Sequence, residues 1–230
     1  MKICGLNKTT LLDYPGTVAA TIFVGGCNFR CPFCHNGDLV LHSKEMQEYS
    51  EDEILSFLKK RKNVLEGVCV TGGEPTLFEK LPEFIKKIKD LGYRVKLDTN
   101  GSHPQMLAEL MEKKWVDYVA MDIKAPLDKY DKVCGVPVDL DKIERSVELL
   151  KCGEIAYEFR TTIVRELHTK EDILEIGKWL SGAEHYYLQS YQETDKNICQ
   201  GFSAMDKEEL FELEKTLQAY VKNVKLRGVE

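Results

Sequence analysis

The chain has 230 residues, 43% of them hydrophobic and 30% charged, a composition that fits one large folded α/β domain and is short for two. Its formal net charge of −6 speaks against the basic stripe that neutralising nucleic-acid phosphates requires, and no apolar run approaches the roughly 20 residues of a membrane span. Met1-Lys2-Ile3-Cys4 carries no signal-peptide apolar core, so a cytoplasmic protein is expected, with its eight cysteines reduced rather than paired.

Residues 1–16 read as an N-terminal extension. Ile3 to Leu12 is mixed and suits a short edge hairpin, and Pro15-Gly16 turns into the first strong strand. Thr17 to Val24 is apolar and β-branched throughout, as in a strand buried on both faces. A cysteine loop, Gly25 to Asn36, follows it directly. Ser50-Glu51-Asp52-Glu53 then opens a helix, with Ser50 as N-cap and Glu53 at the capping-box position.

Beyond this point strands and helices alternate. Strands are expected at 67–71, 94–98, 118–123, 156–164 and 185–189. Helices are expected at 81–91, 105–114 and 141–151, at 169–180 with a cap at Thr169 to Asp172, and at 207–221. A short strand at 224–226 completes the chain. Such alternation implies parallel pairing through right-handed crossovers. The fold class is therefore α/β, a partial (β/α)6 barrel of mainly parallel strands, since a complete barrel of eight units takes about 250 residues. No repeat or linker interrupts it. One domain is expected over 1–230, with its core at 17–205 and a closing helix and strand at 206–230.

Within the cysteine loop, Cys27, Cys31 and Cys34 stand at C-x3-C-x2-C spacing, and Gly25, Gly26 and Pro32 allow a tight turn. Thiolates are soft ligands for zinc or iron–sulfur clusters. A structural zinc site is closed by four ligands; this run offers three, so a cluster with one open iron, a zinc site and unligated thiols all stand as readings. His35 as a fourth ligand would close such a site. Cys69, within Val68-Cys69-Val70, reads as a small core hydrophobe, and Cys4, Cys134, Cys152 and Cys199 are scattered.

In parallel α/β barrels the chemistry gathers at the C-terminal strand ends. Here those ends carry the cysteine loop, then Thr71-Gly72-Gly73-Glu74-Pro75, then Asp98-Thr99-Asn100-Gly101, then Met121-Asp122-Ile123-Lys124. Each has a plain reading as a turn, a helix cap or a solvated lysine. Four polar ends on one face make a site the better reading.

The three-cysteine loop, with Phe33 before its last cysteine, resembles the cluster loop of the radical S-adenosylmethionine (SAM) enzymes. His35-Asn36 and Asp13-Tyr14-Pro15-Gly16 narrow the resemblance to the activating enzymes of glycyl-radical proteins. It is closest to the longer form of the anaerobic ribonucleotide reductase activating protein, with pyruvate formate-lyase activating enzyme second. Gln192, where chains of the second kind have a histidine, favours the first.

The resemblance implies a 4Fe–4S cluster held by Cys27, Cys31 and Cys34, with SAM on its open iron. It implies that Gly72, Gly73 and Glu74 hold the methionine ammonium group, and that Asp98 and Asn100 contact the ribose and the methionine portion, Asp98 being the ribose ligand. Lys124 and Arg160 would meet the methionine carboxylate, and Phe33 and His35 the adenine. The implied reaction is reductive cleavage of SAM to a 5′-deoxyadenosyl radical that takes a glycine Cα hydrogen from a partner protein. An electron donor such as flavodoxin or ferredoxin would serve it. No protein group beyond cluster and SAM is needed as a catalyst, and no Ser/His/Asp arrangement is recognisable in the sequence. The rival readings are a radical SAM enzyme acting on a small molecule and a non-catalytic zinc or cluster scaffold.

Overall fold

The β-branched runs form the eight strands of a single sheet in the computed structural model, which describes residues 1–229. In chain order the elements are β1 (Ile3–Thr10), β2 (Ala19–Val24), α1 (Gly37–Leu41), α2 (Glu51–Arg61), β3 (Gly67–Gly72), α3 (Leu81–Asp90), β4 (Arg94–Thr99), α4 (Pro104–Glu112) and β5 (Tyr118–Asp122). They continue with α5 (Tyr130–Cys134), α6 (Leu140–Cys152), β6 (Ala156–Ile163), α7 (Lys170–Trp179), β7 (His185–Ser190), α8 (Lys207–Leu217) and β8 (Asn223–Arg227). The strands lie in sequential order, β1 to β8. Only β1 is antiparallel to its neighbour; every pairing from β2 to β8 is parallel. Because β1 and β8 remain edges, the sheet is an open partial barrel with its connecting helices outside.

The sequence reading undercounted at both ends. Ile3 to Thr10 is a full strand, tied to β2 along its length and bridged by the Tyr49 N–H to the Ile3 carbonyl at 2.8 Å. The C-terminal strand is real and five residues long. The last helix stops at Leu217 because the chain must turn onto β7: the Tyr220 carbonyl accepts from Gly182 N at 3.0 Å and Lys222 N donates to the Ala183 carbonyl at 3.1 Å. Helices α1 and α5 were not foreseen, being five residues each and too short for a 3.6-residue period to register. The caps expected at Ser50/Glu53 and Thr169/Asp172 are both formed as capping boxes. Among the described residues no helix is long and apolar enough to cross a membrane.

Alternation along the strands sorts the side chains into two layers. On the outside, Ile22, Val68, Val70, Val95, Leu97, Val119 and Met121 are fully buried with Ile54, Leu58, Phe84, Ile85, Ile88 and Leu110 of the helices. Each such side chain contributes about 1.5–3 kcal/mol by leaving water. The inward positions are different. Lys96, Asp98, Tyr118, Asp122, Glu158 and Arg160 form linked ion pairs and hydrogen bonds across the barrel interior. In the lower part, the fully buried Glu158 accepts from Arg227 Nη1 and Nη2 at 2.7 and 2.8 Å and from the Tyr118 hydroxyl at 2.8 Å. The Arg227 guanidinium also lies 3.5 Å from the Tyr187 ring centroid, so the last strand is locked to β5, β6 and β7 together. Cys69, expected as a plain core residue, is fully buried but faces polar groups, its sulfur 3.8 Å from Asp98 Oδ1 and 3.9 Å from Lys96 Nζ.

Candidate active site

The C-terminal ends of β2 to β7 surround a cavity of about 310 Å³, at the lower end of the usual range for small-molecule sites. The loop after β2 forms one wall. Its shape comes from backbone anchors: Gly26 N donates to the Leu39 carbonyl at 2.7 Å, Arg30 N to the Cys134 carbonyl at 2.8 Å, and Cys34 N to the Cys31 carbonyl at 3.0 Å. These anchors turn Cys27, Cys31 and Cys34 toward the cavity. Phe29 N–H donates to Cys27 Sγ at 3.3 Å, and Asn36 N–H lies against Cys34 Sγ.

Burial pushes the Cys27 thiol up to about 12 and raises Cys34 as well. Cys31 moves the other way, because the Cys134 thiol donates to its sulfur and Lys124 adds positive charge nearby. Among the described residues no three His, Cys, Asp or Glu side chains converge as a single metal ion requires. The donor set, three sulfurs spread around one wall and open toward the cavity, fits a cluster better than a closed zinc site.

The end of β3 forms the floor of that loop. Gly72 has φ +122, and a Cβ there would run into the Val24 backbone. A Cβ on Gly73 would overlap the Gly26 carbonyl. Only glycines let these two chain segments cross so closely. The crossing is fastened by Gly73 N to the Val24 carbonyl at 2.8 Å and by Glu74 N to the Gly26 carbonyl at 2.9 Å. Asn36 Nδ2 adds a bond to the Gly72 carbonyl at 3.0 Å.

Glu74 is placed differently from its neighbours. Its side chain is fully buried beneath the cavity wall. There it accepts from Thr76 N at 3.0 Å, Thr76 Oγ1 at 2.5 Å, Thr99 Oγ1 at 2.8 Å and Asn100 N at 2.6 Å. Burial raises its carboxyl against the pull of those four donors. Its position makes it a brace between the ends of β3 and β4, while Thr71, Gly72 and Gly73 line the cavity at this strand end.

Facing the sulfurs is an alternating chain of charge. Lys96, buried under Asp98, pairs with its Oδ1. Arg160 Nη1 lies 3.3 Å from Asp98 Oδ2, and Arg160 Nε and Nη2 both lie 2.8 Å from Asp122 Oδ1. Lys124 Nζ takes Asp122 Oδ2 at 2.9 Å. Burial alone would raise the Asp122 carboxyl, but Arg160 and Lys124 hold it down at about 2. Asp98 is likewise held below the usual range by Arg160 and Lys96 against burial. Burial also opposes the charges on Lys124 and Arg160, and the two aspartates keep both cations firmly protonated. Three cations against two anions leave one positive charge in excess. Lys124, Arg160, Asp98 and Asp122 all line the cavity.

Asn100, on the same wall, bridges to the cysteine loop through Nδ2, at 2.9 Å from Asn28 Oδ1 and 3.8 Å from Cys27 Sγ. Phe33 is buried with its ring edge toward His168, 6.4 Å between centroids. His35 is exposed at the rim, stacked on Tyr191 at 5.6 Å, with Nε2 2.6 Å from the Gln192 carbonyl.

Several contributors were given no role in the site from the sequence. Lys96, and Asp122 from the strand-end run Met121 to Lys124, complete the charge chain. Thr162, Gln189 and Ser190 supply the wall from β6 and β7. Cys134 meets Cys31, and the buried His168 donates from Nε2 to the Lys124 carbonyl, 2.8 Å away. The strand ends of β6 and β7 hold no motif, and Cys134 approaches only because α5 folds back on the loop.

Comparisons with known proteins agree with this architecture. A family profile of the Radical SAM superfamily matches residues 21–180. A Methanocaldococcus jannaschii protein, whose name places it among the glycyl-radical enzyme activating enzymes, is 34% identical over 238 aligned positions. That match covers 99% of this chain and 96% of the relative. A second protein of that organism with the same kind of name is 28% identical, covering 95% of this chain and 80% of its own length. Among solved structures, Streptococcus suis SuiB bound to S-adenosylmethionine aligns with a TM-score of 0.70 at 15% identity, over 91% of this chain and 52% of SuiB. A domain of pyruvate-formate lyase-activating enzyme from Bacteroides vulgatus aligns with a TM-score of 0.56 at 21% identity, over 70% of this chain and 99% of that domain. At those identities the two structures support the fold. The profile and the near-full-length relative support more: the chain is an enzyme of the radical SAM superfamily, in the family of the glycyl-radical enzyme activating enzymes.

Proposed function

We propose that Cys27, Cys31 and Cys34 hold the 4Fe–4S cluster that membership of the superfamily implies, and that SAM lies across the cavity between this loop and the charge chain. The observation that carries the reading is the excess positive charge facing three sulfurs. Each oxygen of Asp98 and Asp122 is already paired with a cation. Lys124 has three N–H donors and gives one to Asp122, and Arg160 keeps N–H groups in reserve. Such a site takes an anionic group, and the methionine carboxylate is that group.

When bound, the cluster supplies the electron that splits SAM into methionine and a 5′-deoxyadenosyl radical. The chain's own residues bind, orient and exclude water. Lys124 and Arg160 receive the carboxylate, and the backbone at Gly72 and Gly73, which lines the cavity, offers acceptors to the ammonium group. Asp98, fixed by Lys96 and Arg160, meets the ribose, with Asn100 beside it. Phe33 and His35 border the adenine end. Glu74 supports the site from beneath by holding Thr99 and the Asn100 backbone.

The substrate is a glycine Cα–H of a glycyl-radical protein, and we take that protein to be the anaerobic ribonucleotide reductase, supplied with electrons by a flavodoxin or ferredoxin. The near-full-length relatives support a glycyl-radical protein as the substrate, and Gln192 at the rim, where pyruvate formate-lyase activase-like chains have a histidine, favours the reductase among such proteins. The test is incubation of the reduced enzyme with SAM and a reductase whose glycines carry deuterium at Cα. Deuterated 5′-deoxyadenosine and a glycyl-radical EPR signal are expected. 5′-Deoxyadenosine without deuterium, and no protein radical, would remove this partner.

A further inference from the structure

The chain between β7 and α8, residues 191–206, contains no helix or strand, yet it lies along the cysteine loop and bonds to it repeatedly. Asn197 Nδ2 donates to the Phe33 carbonyl at 2.8 Å. Cys199 N donates to the Pro32 carbonyl at 2.8 Å, and Gly37 N to the Lys196 carbonyl at 3.2 Å. His35 meets the Gln192 carbonyl and stacks on Tyr191. Both carbonyls lying between Cys31 and Cys34 are thus bonded by this strap. Most of the strap is exposed, but Asn197 is 8% exposed.

Asn197 has two jobs at once. Its Oδ1 accepts from Thr194 N at 2.6 Å and Thr194 Oγ1 at 2.9 Å, folding the strap's own turn. Its Nδ2 grips the loop. A donor fixed on the Phe33 carbonyl sets the plane of the Phe33–Cys34 peptide, and with it the direction in which the Cys34 side chain leaves the backbone. Resting on the cluster assignment above, we infer that Asn197 is a positioning residue for Cys34, and that cluster loading and ordering of the strap are thermodynamically linked. A group that binds only one shape of the loop must also stabilise the segment that enforces that shape, and the coupling is reciprocal.

The two ends of Asn197 can be separated. At pH 8 the variant Asn197→Asp keeps the acceptor for Thr194 but sets a carboxylate oxygen against the Phe33 carbonyl. Asn197→Ala removes both contacts. Gln200→Ala cuts only the strap's internal bond from Gln200 Nε2 to the Thr194 carbonyl, 2.9 Å in length. The experiment is anaerobic reconstitution of each full-length chain, followed by iron and sulfide analysis, EPR with and without SAM, and hydrogen exchange with and without iron.

In the wild type, loading should slow exchange across 191–206 by about tenfold or more while peptides from α3 and α4 stay unchanged. Asn197→Asp and Asn197→Ala should both lose at least half of the iron and alter the EPR line shape, and Gln200→Ala should match the wild type. If Asn197→Asp loads fully with an unaltered spectrum, Asn197 serves only the strap's turn and the inference fails. Strap exchange that is indifferent to loading refutes the linkage. A wild type that takes up no iron overturns the cluster assignment itself, which is a distinct result.

Discussion

Replacing Lys124 by Met keeps the length of the side chain and deletes its charge, and the geometry states what should follow. The ammonium has one protein contact, to Asp122 Oδ2 at 2.9 Å; its remaining N–H groups are those assigned to the methionine carboxylate. Removing it turns a chain of three cations and two anions into an electrically neutral one. A charge-assisted hydrogen bond is worth about 1.5–3 kcal/mol, so the dissociation constant for SAM should rise about ten- to hundredfold. The cluster should still assemble with full iron, because no sulfur takes a hydrogen bond from Lys124, although the positive charge that helps hold the Cys31 thiol down is lost. The assay is titration of the reconstituted enzyme with SAM, read by EPR, beside iron analysis of the same sample. Lys124→Arg should recover part of the affinity, since it restores charge without the same point geometry. A change below about twofold, or a loss of iron that parallels the loss of binding, would refute the assignment of Lys124 to the carboxylate.

Other perturbations test other parts of the structure. Arg227→Met leaves the fully buried Glu158 carboxylate with the Tyr118 hydroxyl alone and should destabilise the fold by about 3–5 kcal/mol in urea unfolding. Adding Glu158→Gln should return most of that loss. The Asp122 carboxyl is held at about 2 in the folded chain, below the roughly 3.9 of an unfolded aspartate. Its contribution is therefore present above about pH 4 and disappears as pH falls toward 2. Acid unfolding followed by circular dichroism should lose this steep segment in Asp122→Asn, and an unchanged acid limb would contradict it. Gly73→Ala should fold, with secondary structure intact by circular dichroism, yet take up little iron, because the new methyl group overlaps the Gly26 carbonyl. Full iron uptake by this variant would mean that the crossing of the two loops is dispensable.

The order of elements was legible in the sequence because helices and strands alternate with clear periods, and Ser50/Glu53 and Thr169/Asp172 announce two helix starts. The cysteine loop and the three strand-end motifs were legible because special residues crowd a short span. The remainder was hidden for physical reasons. Glu74 sits inside a recognisable motif, but whether a carboxylate faces a ligand or its own backbone depends on the path of β4, which brings Thr99 and Asn100 to it. Cys134 and Asn197 reach the loop from 103 and 163 residues beyond Cys31 and Cys34, respectively, through contacts no local pattern records.

The charged interior did leave a trace, read only in part. Lys96 and Asp98, Asp122 and Lys124, and Glu158 and Arg160 are three pairs of opposite charge, each two residues apart. The first and last lie within β4 and β6, and the middle pair runs off the end of β5. Period-two spacing puts both members of a pair on one face. In strands otherwise apolar, that face had to be an interior where the charges pair with one another.

Anaerobic EPR of the reconstituted and reduced protein, recorded with and without SAM, tests the central claim most directly. A 4Fe–4S signal that changes on adding SAM is the expected result, since three sulfurs leave one iron open to the ligand. A signal indifferent to SAM, or a protein that binds no iron, would contradict it and return Cys27, Cys31 and Cys34 to a structural role.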